Sequence, residues 1–98
     1  MKIESGEIVI IVLHSPREKL WGILQEITAA GVYIRGIDLN AFNEFIRSAN
    51  SGEHIYGFSN IFFPIWRVER ISRDEQDGDI PPLLEQFESR TGLRIEDM

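Results

Sequence analysis

The stretch Glu7-Ile8-Val9-Ile10-Ile11-Val12-Leu13, followed by Lys19-Leu20-Trp21-Gly22-Ile23-Leu24-Gln25-Glu26-Ile27, decides the reading of the fold. Six consecutive apolar residues, mostly β-branched, suit a strand covered on both faces, because such a strand has no solvent side to alternate with. A glycine inside the second run, Gly22, marks a sharp bend. Between the two, His14-Ser15-Pro16-Arg17-Glu18 has turn chemistry, with Pro16 supplying a fixed φ. Together the runs predict a small, strongly curved β-barrel.

Working outward, the second strand extends over residues 19–28. Ala29-Ala30-Gly31 is short enough to join antiparallel neighbours, and Val32-Tyr33-Ile34-Arg35-Gly36-Ile37 reads as a third strand with a bend or bulge at Gly36. The period then changes. Phe42, Phe45, Ile46 and Ala49 stand at i, i+3, i+4 and i+7, which predicts a helix over residues 40–49 with Asn40 as N-cap and Gly52 just past its end. Residues 53–59 read as a loop. Strand character returns at Asn60, and Pro64, which cannot donate to a ladder, splits the segment into a fourth strand over 60–63 and a fifth over 66–72. Val68 and Ile71 do not alternate, so a bulge or a 3₁₀-like twist is expected there.

The polar run Asp74-Glu75-Gln76-Asp77-Gly78-Asp79 reads as a linker. After it, Pro82 opens a helix of about eight to ten residues, carried by Leu83, Leu84 and Phe87 and stopped by Gly92; alone, so short a helix is marginal, so it must dock. The chain therefore divides into a barrel over residues 1–73, with a helical insertion at about 40–50, and an acidic linker with a short helix over 74–98.

Ninety-eight residues make one domain with a single modest core. Cysteine is absent, which removes disulfides, thiol nucleophiles and cysteine–zinc sites and fits a cytoplasmic chain without covalent staples. No apolar run approaches the roughly 18 residues of a membrane span, so no membrane partner is expected. Acids near the start, Glu4 and Glu7, stand where a secretory signal carries bases. The net charge of −6 is carried by residues 74–98, where eight acids face Arg90 and Arg94; residues 1–73 balance eight acids with eight bases. Neither part has the clustered Lys and Arg on which non-specific nucleic-acid binding runs.

The pattern of strand, turn, glycine-containing strand, short turn, strand and a closely spaced final pair resembles the Sm-like proteins. Leu20-Trp21-Gly22-Ile23-Leu24 looks like that family's bent second strand, Ile23-Leu24 through Val32-Tyr33-Ile34 fits its first motif, and Trp66-Arg67-Val68-Glu69-Arg70-Ile71 fits its second in apolar positions. The resemblance covers about residues 7–37 and 60–72. It implies a five-stranded antiparallel, strongly bent (SH3-like) barrel and a tendency to assemble, including into rings, through edge strands four and five. It does not carry over an RNA site. Where RNA-binding members place an acid and an asparagine, and later an Arg-Gly pair, this chain has Thr28 and Gly31, then Pro64-Ile65. The helix at 40–49 is longer than the family's usual connection, and the terminal helix follows the strands where family helices precede them. Gly36-Ile37-Asp38-Leu39-Asn40, the 62–71 block and the 82–87 block also resemble short uncharacterised bacterial proteins, a likeness without a function attached.

Chemistry-bearing patterns are sparse. His14 lies in a turn and His54 in the long loop, with Asp38 or Glu53 as the nearest conceivable partners, and neither has a ligand at helical or hairpin spacing. Gly31-Val32-Tyr33-Ile34-Arg35-Gly36 lacks both the P-loop lysine and the middle glycine of the dinucleotide fingerprint, and no serine sits in a G-x-S-x-G elbow. No catalytic residue, metal or cofactor is expected. The apolar block Ile61, Phe62, Phe63, Ile65, Trp66 and Val68 reads as core plus subunit interface of a homo-oligomer. The alternative is an RNA-binding regulator that stacks bases on these aromatics and uses Arg35, Arg67 and Arg70, with Arg73 also along the backbone. Trp21 is expected to face away from the barrel interior and to need the 42–46 helix face, or a neighbour, as cover.

Overall fold

The computed structural model describes residues 2–51 and 58–98. Five strands, β1 (Ile8–Leu13), β2 (Glu18–Ile27), β3 (Gly31–Asp38), β4 (Ser59–Pro64) and β5 (Val68–Arg73), form one antiparallel sheet in the order β4-β3-β2-β1-β5. Two helices, α1 (Phe42–Ser51) and α2 (Leu83–Thr91), pack on one side of it. The sheet is rolled but does not close into a barrel: among the described residues no ladder joins β4 to β5.

How far it is rolled follows from one connection. The ten residues of β2 would reach about 33 Å if straight. Yet the 3₁₀ turn Ile65–Arg67 touches both ends of that strand's surroundings. Ile65 N donates to Ala30 O at 2.9 Å, beside the end of β2, while Arg67 O accepts from His14 N at 3.0 Å, beside its start. Pro64 to Val68 is four steps along the backbone, at most about 14 Å of chain. Only a sheet bent back on itself lets so short a link join its opposite edges.

Glycine makes the bend. Gly22 of β2 is paired with Gly36 of β3. A Cβ on Gly22 would overlap the Arg35 carbonyl oxygen and stand 2.5 Å from the Gly36 Cα, so the two backbones approach to a distance that no side chain permits. A register shift between Leu24 and Glu26 adds a bulge, which increases local twist.

Bending gives the sheet two cores. Val9, Ile11 and Leu13 of β1 join Leu20, Leu24, Val32, Ile34 and Phe63 on the concave face. Ile8 and Ile10, from the alternate positions, pack on the other face, so β1 is covered on both sides as its composition demands. That second core centres on Trp21, which is fully buried under Phe42, Phe58 and Phe87 with ring centroids 5.2–5.7 Å away. The edge-on and tilted geometries suit the quadrupoles of aromatic rings. The cover expected for Trp21 is supplied by α1, and by α2 in addition.

The first turn of helix α2 is held by a single carboxylate. Asp74, just after β5, accepts Leu83 N on Oδ1 and Leu84 N on Oδ2, both at 2.8 Å, and Trp21 Nε1 on Oδ2 at 3.0 Å. The first turn of a helix has unpartnered N–H groups, and Pro82 at the cap position offers no side-chain acceptor. An acid nine residues upstream fills that role. Gly92 ends α2 in the left-handed conformation, φ 73°, with its N–H on Glu88 O.

Several boundaries differ from the sequence reading, each for a local reason. The N-cap role expected of Asn40 belongs to Asp38: its carboxylate accepts Asn40 N at 2.7 Å and starts a 3₁₀ turn, Leu39–Ala41, before α1. The bulge expected between Val68 and Ile71 is there, a register shift against Val12 and Leu13 that leaves Glu69 unpaired with β1, and a 3₁₀ turn, Ile65–Arg67, comes before it, so Trp66 precedes β5 instead of lying in it. Ser59, read as loop, begins β4. Gly52, His54 and most of the expected loop lie outside the described residues.

Ion pairing ties the first residues to β5. Glu7 accepts Arg73 Nε at 2.6 Å, and that bond, ahead of a hydrogen bond with the Glu4 backbone, holds the Glu7 carboxyl below its ordinary value of 4.5. The folded value lies below the unfolded one, so this stabilisation is full above the unfolded value and is lost as pH falls through the folded one. Melting curves between about pH 5 and pH 3 should therefore show a smaller loss of Tm in Glu7→Gln than in the parent chain. Equal slopes would remove the pair from the acid response.

Candidate functional site

The two edges of the sheet are β4 and β5. An edge strand presents unpaired N–H and C=O groups, and soluble proteins usually blunt it with charge, a bulge or a covering segment. The two edges here differ. β5 carries Glu69, Arg70 and Arg73, and Glu69 meets Arg17 at 3.7 Å. β4 reads Ser59-Asn60-Ile61-Phe62-Phe63-Pro64 and has no charged residue, and its terminal proline cannot donate to a ladder.

Around β4 lie large apolar side chains open to solvent. Phe62 is 42% exposed, Ile65 46% and Trp66 62%. Tyr33 pairs with Phe62 across β3 and β4, their rings 4.8 Å apart, and is itself 42% exposed. Strand alternation explains the arrangement: Phe63 is buried in the concave core and Ile61 packs against it, which turns Phe62 to the opposite face beyond the reach of the helices. Gly31, opposite Pro64, makes room for the Phe62 ring, because a Cβ there would stand 2.6 Å from its tip. Of the six residues named from sequence, Phe62, Ile65 and Trp66 thus project to solvent, Phe63 is core, and Ile61 and Val68 are half-buried against it.

No protein-family model, curated protein or solved structure matches this chain. Its site is therefore read from its own geometry.

The arginines named for nucleic acid differ in their partners, Arg73 being paired with Glu7 as described above. Arg35 donates to Met98 O at 2.6 Å and to Asn60 Oδ1 at 3.1 Å. Arg67 is held by His14 O, Pro16 O and Glu18 Oε2, the last at 3.0 Å, with its guanidinium 5.7 Å from the Phe63 ring centroid. Those donors brace the rolled sheet where β1 turns into β2. Arg70 lies exposed on β5. His14 bonds the neighbouring Ser15 hydroxyl at 3.1 Å and stands edge-on to Trp66, centroids 6.4 Å apart. Asp38 is engaged in its cap. Among the described residues no three His, Asp or Glu side chains gather as a metal ion would require.

Sequence reasoning missed Tyr33 as a member of the exposed patch and Asp74 as the anchor of α2. Tyr33 carried a signal in its alternation with Val32 and Ile34. Asp74 carried none, since its partners lie 9, 10 and 53 residues away.

Proposed function

We propose that this domain is a non-enzymatic, Sm-like interaction module that assembles with copies of itself by strand addition at its open edges. The observation that carries the reading is β4: an uncharged edge strand flanked by exposed Phe62, Ile65 and Trp66. A second strand laid along it satisfies unpaired backbone groups and covers those side chains together. The strand order supports the Sm-like reading, since it puts the fourth and fifth strands at the two edges and joins them by a short turn across a strongly bent sheet. Because the edges differ in chemistry, β4 on β5 is a heterologous contact, which closes into a ring where the rotation per subunit permits.

Light scattering at tens of micromolar is the test. The expected result is a closed oligomer, with Trp66 emission shielded from iodide relative to dilute protein. Phe62→Lys, which places a charge on an already exposed position, should shift the mass toward monomer and leave the far-UV spectrum unchanged. A monomeric parent chain at that concentration overturns the proposal. The 260/280 nm absorbance ratio of the same sample reads the RNA alternative directly: a protein-like ratio is the expected result.

A further inference from the structure

A cleft of about 520 Å³ opens between the start of β2, the end of β3, the first turn of α1 and the inward-facing residues of β4, Ser59, Ile61 and Phe63. Its size falls within the range of small-molecule sites, which are mostly apolar with a few placed polar groups. The floor is Leu20, Ile37, Phe45, Ile61 and Phe63, drawn from both cores at the place where they meet. Every ionisable residue described in its lining is an acid: Glu18, Asp38 and Glu44. No lysine, arginine or histidine stands among the described lining residues.

Each acid uses one oxygen within the described structure. Glu18 Oε2 meets Arg67, Asp38 Oδ1 caps the 3₁₀ turn, and Glu44 Oε2 meets Arg47. A carboxylate has about four lone-pair sites, so one bond leaves acceptor capacity at each. Two of the acids have a guanidinium partner outside the lining, Glu18 with Arg67 and Glu44 with Arg47, so the net negative charge of the rim rests on Asp38 among the described residues. An apolar floor with an acidic rim selects a hydrophobic cation and rejects its anionic counterpart.

We infer that the cleft binds a small amphiphilic cation, an apolar body of one ring or short chain ending in a primary amine or guanidinium. The body displaces water from Leu20, Phe45 and Ile61, and the ammonium donates to Asp38 and Glu44.

The probes are 4-phenylbutylamine, the matched alcohol 4-phenylbutan-1-ol and the matched acid 4-phenylbutanoate, titrated into isotopically labelled protein and followed by amide shifts. The amine should saturate with shifts centred on Leu20, Ile37, Phe45 and Ile61, bind about tenfold tighter than the alcohol, and outdo the acid by more. Glu44→Gln, at an exposed position, and Asp38→Asn should each weaken the amine about fivefold and leave the alcohol unchanged. Equal affinity for amine and alcohol, shifts centred elsewhere, or no saturation by the amine at millimolar concentration overturns the inference. Should Asp38→Asn lower stability through its cap, Glu44→Gln alone decides.

Discussion

Replacing Gly22 by alanine is expected to destabilise the domain by about 3 kcal/mol, and replacing it by valine to leave no cooperative unfolding transition. A single methyl at this position meets main chain and nothing softer: the Arg35 carbonyl oxygen, the Gly36 Cα at 2.5 Å and the Arg35 carbonyl carbon at 2.9 Å. No rotamer relieves such a clash, so β2 and β3 have to separate at the bend. Separation there straightens the sheet, and the Ile65–Arg67 turn can no longer reach both the Ala30 and His14 carbonyl and amide groups. Gly78→Ala is the control. Its Cβ would meet nothing within 4 Å, although φ is +58°, so its cost is the local one of about 1–2 kcal/mol for a left-handed residue. Urea denaturation followed by far-UV circular dichroism measures both. Equal losses at the two positions would mean that the Gly22–Gly36 approach is not what sets the bend.

The second large effect lies at Trp21 and Asp74. Trp21→Ala is expected to cost about 3–5 kcal/mol, the range for truncating a buried tryptophan, and domains of this size have only about 5–15 kcal/mol in all. Trp21 is the ring on which Phe42, Phe58 and Phe87 converge, so its loss loosens both helices at once. Asp74→Asn keeps the shape but leaves one acceptor oxygen for three donors, at about 2 kcal/mol. Trp21→Phe removes only the indole donor and some ring area. Since Trp21 Nε1 and Leu84 N share Oδ2, the Trp21→Phe and Asp74→Asn losses should sum to more than the double variant shows. Strict additivity in that cycle would separate the anchor of α2 from the aromatic core.

Local pattern carried much of the architecture. Residues 8–13 have to be covered on both faces whatever surrounds them, because six apolar residues in a row offer no polar side. The stripe Phe42, Phe45 and Ile46 is a buried face in any context that lets it be helical, and all three are buried. Pro64 and Gly92 act through their own backbones, so the break before β5 and the end of α2 were legible from single residues. Trp21 was legible by elimination, since alternation turned it away from Leu20 and Leu24 and left it needing cover.

The candidate site was harder to read, because exposure is a property of the assembled sheet. Ile61, Phe62 and Phe63 are equally apolar in sequence, and only their register against β3 decides that Phe63 joins the core while Phe62 faces solvent. Arg67 looks as available as Arg70 until the β1–β2 turn is brought against it. The acid-rimmed cleft draws its walls from four elements that are up to 45 residues apart, and nothing in any one of them announces it.

The amino-acid sequence by itself thus determined which segments are strands and helices, and that the sheet had to bend at Gly22, because those outcomes rest on backbone freedom and hydrophobic period over a few residues. Only the tertiary structure decided that the rolled sheet stays open at β4 and β5, that Asp74 anchors α2, and which aromatics remain in water. Those outcomes depend on where distant segments meet, and contact between distant segments leaves no mark on local composition.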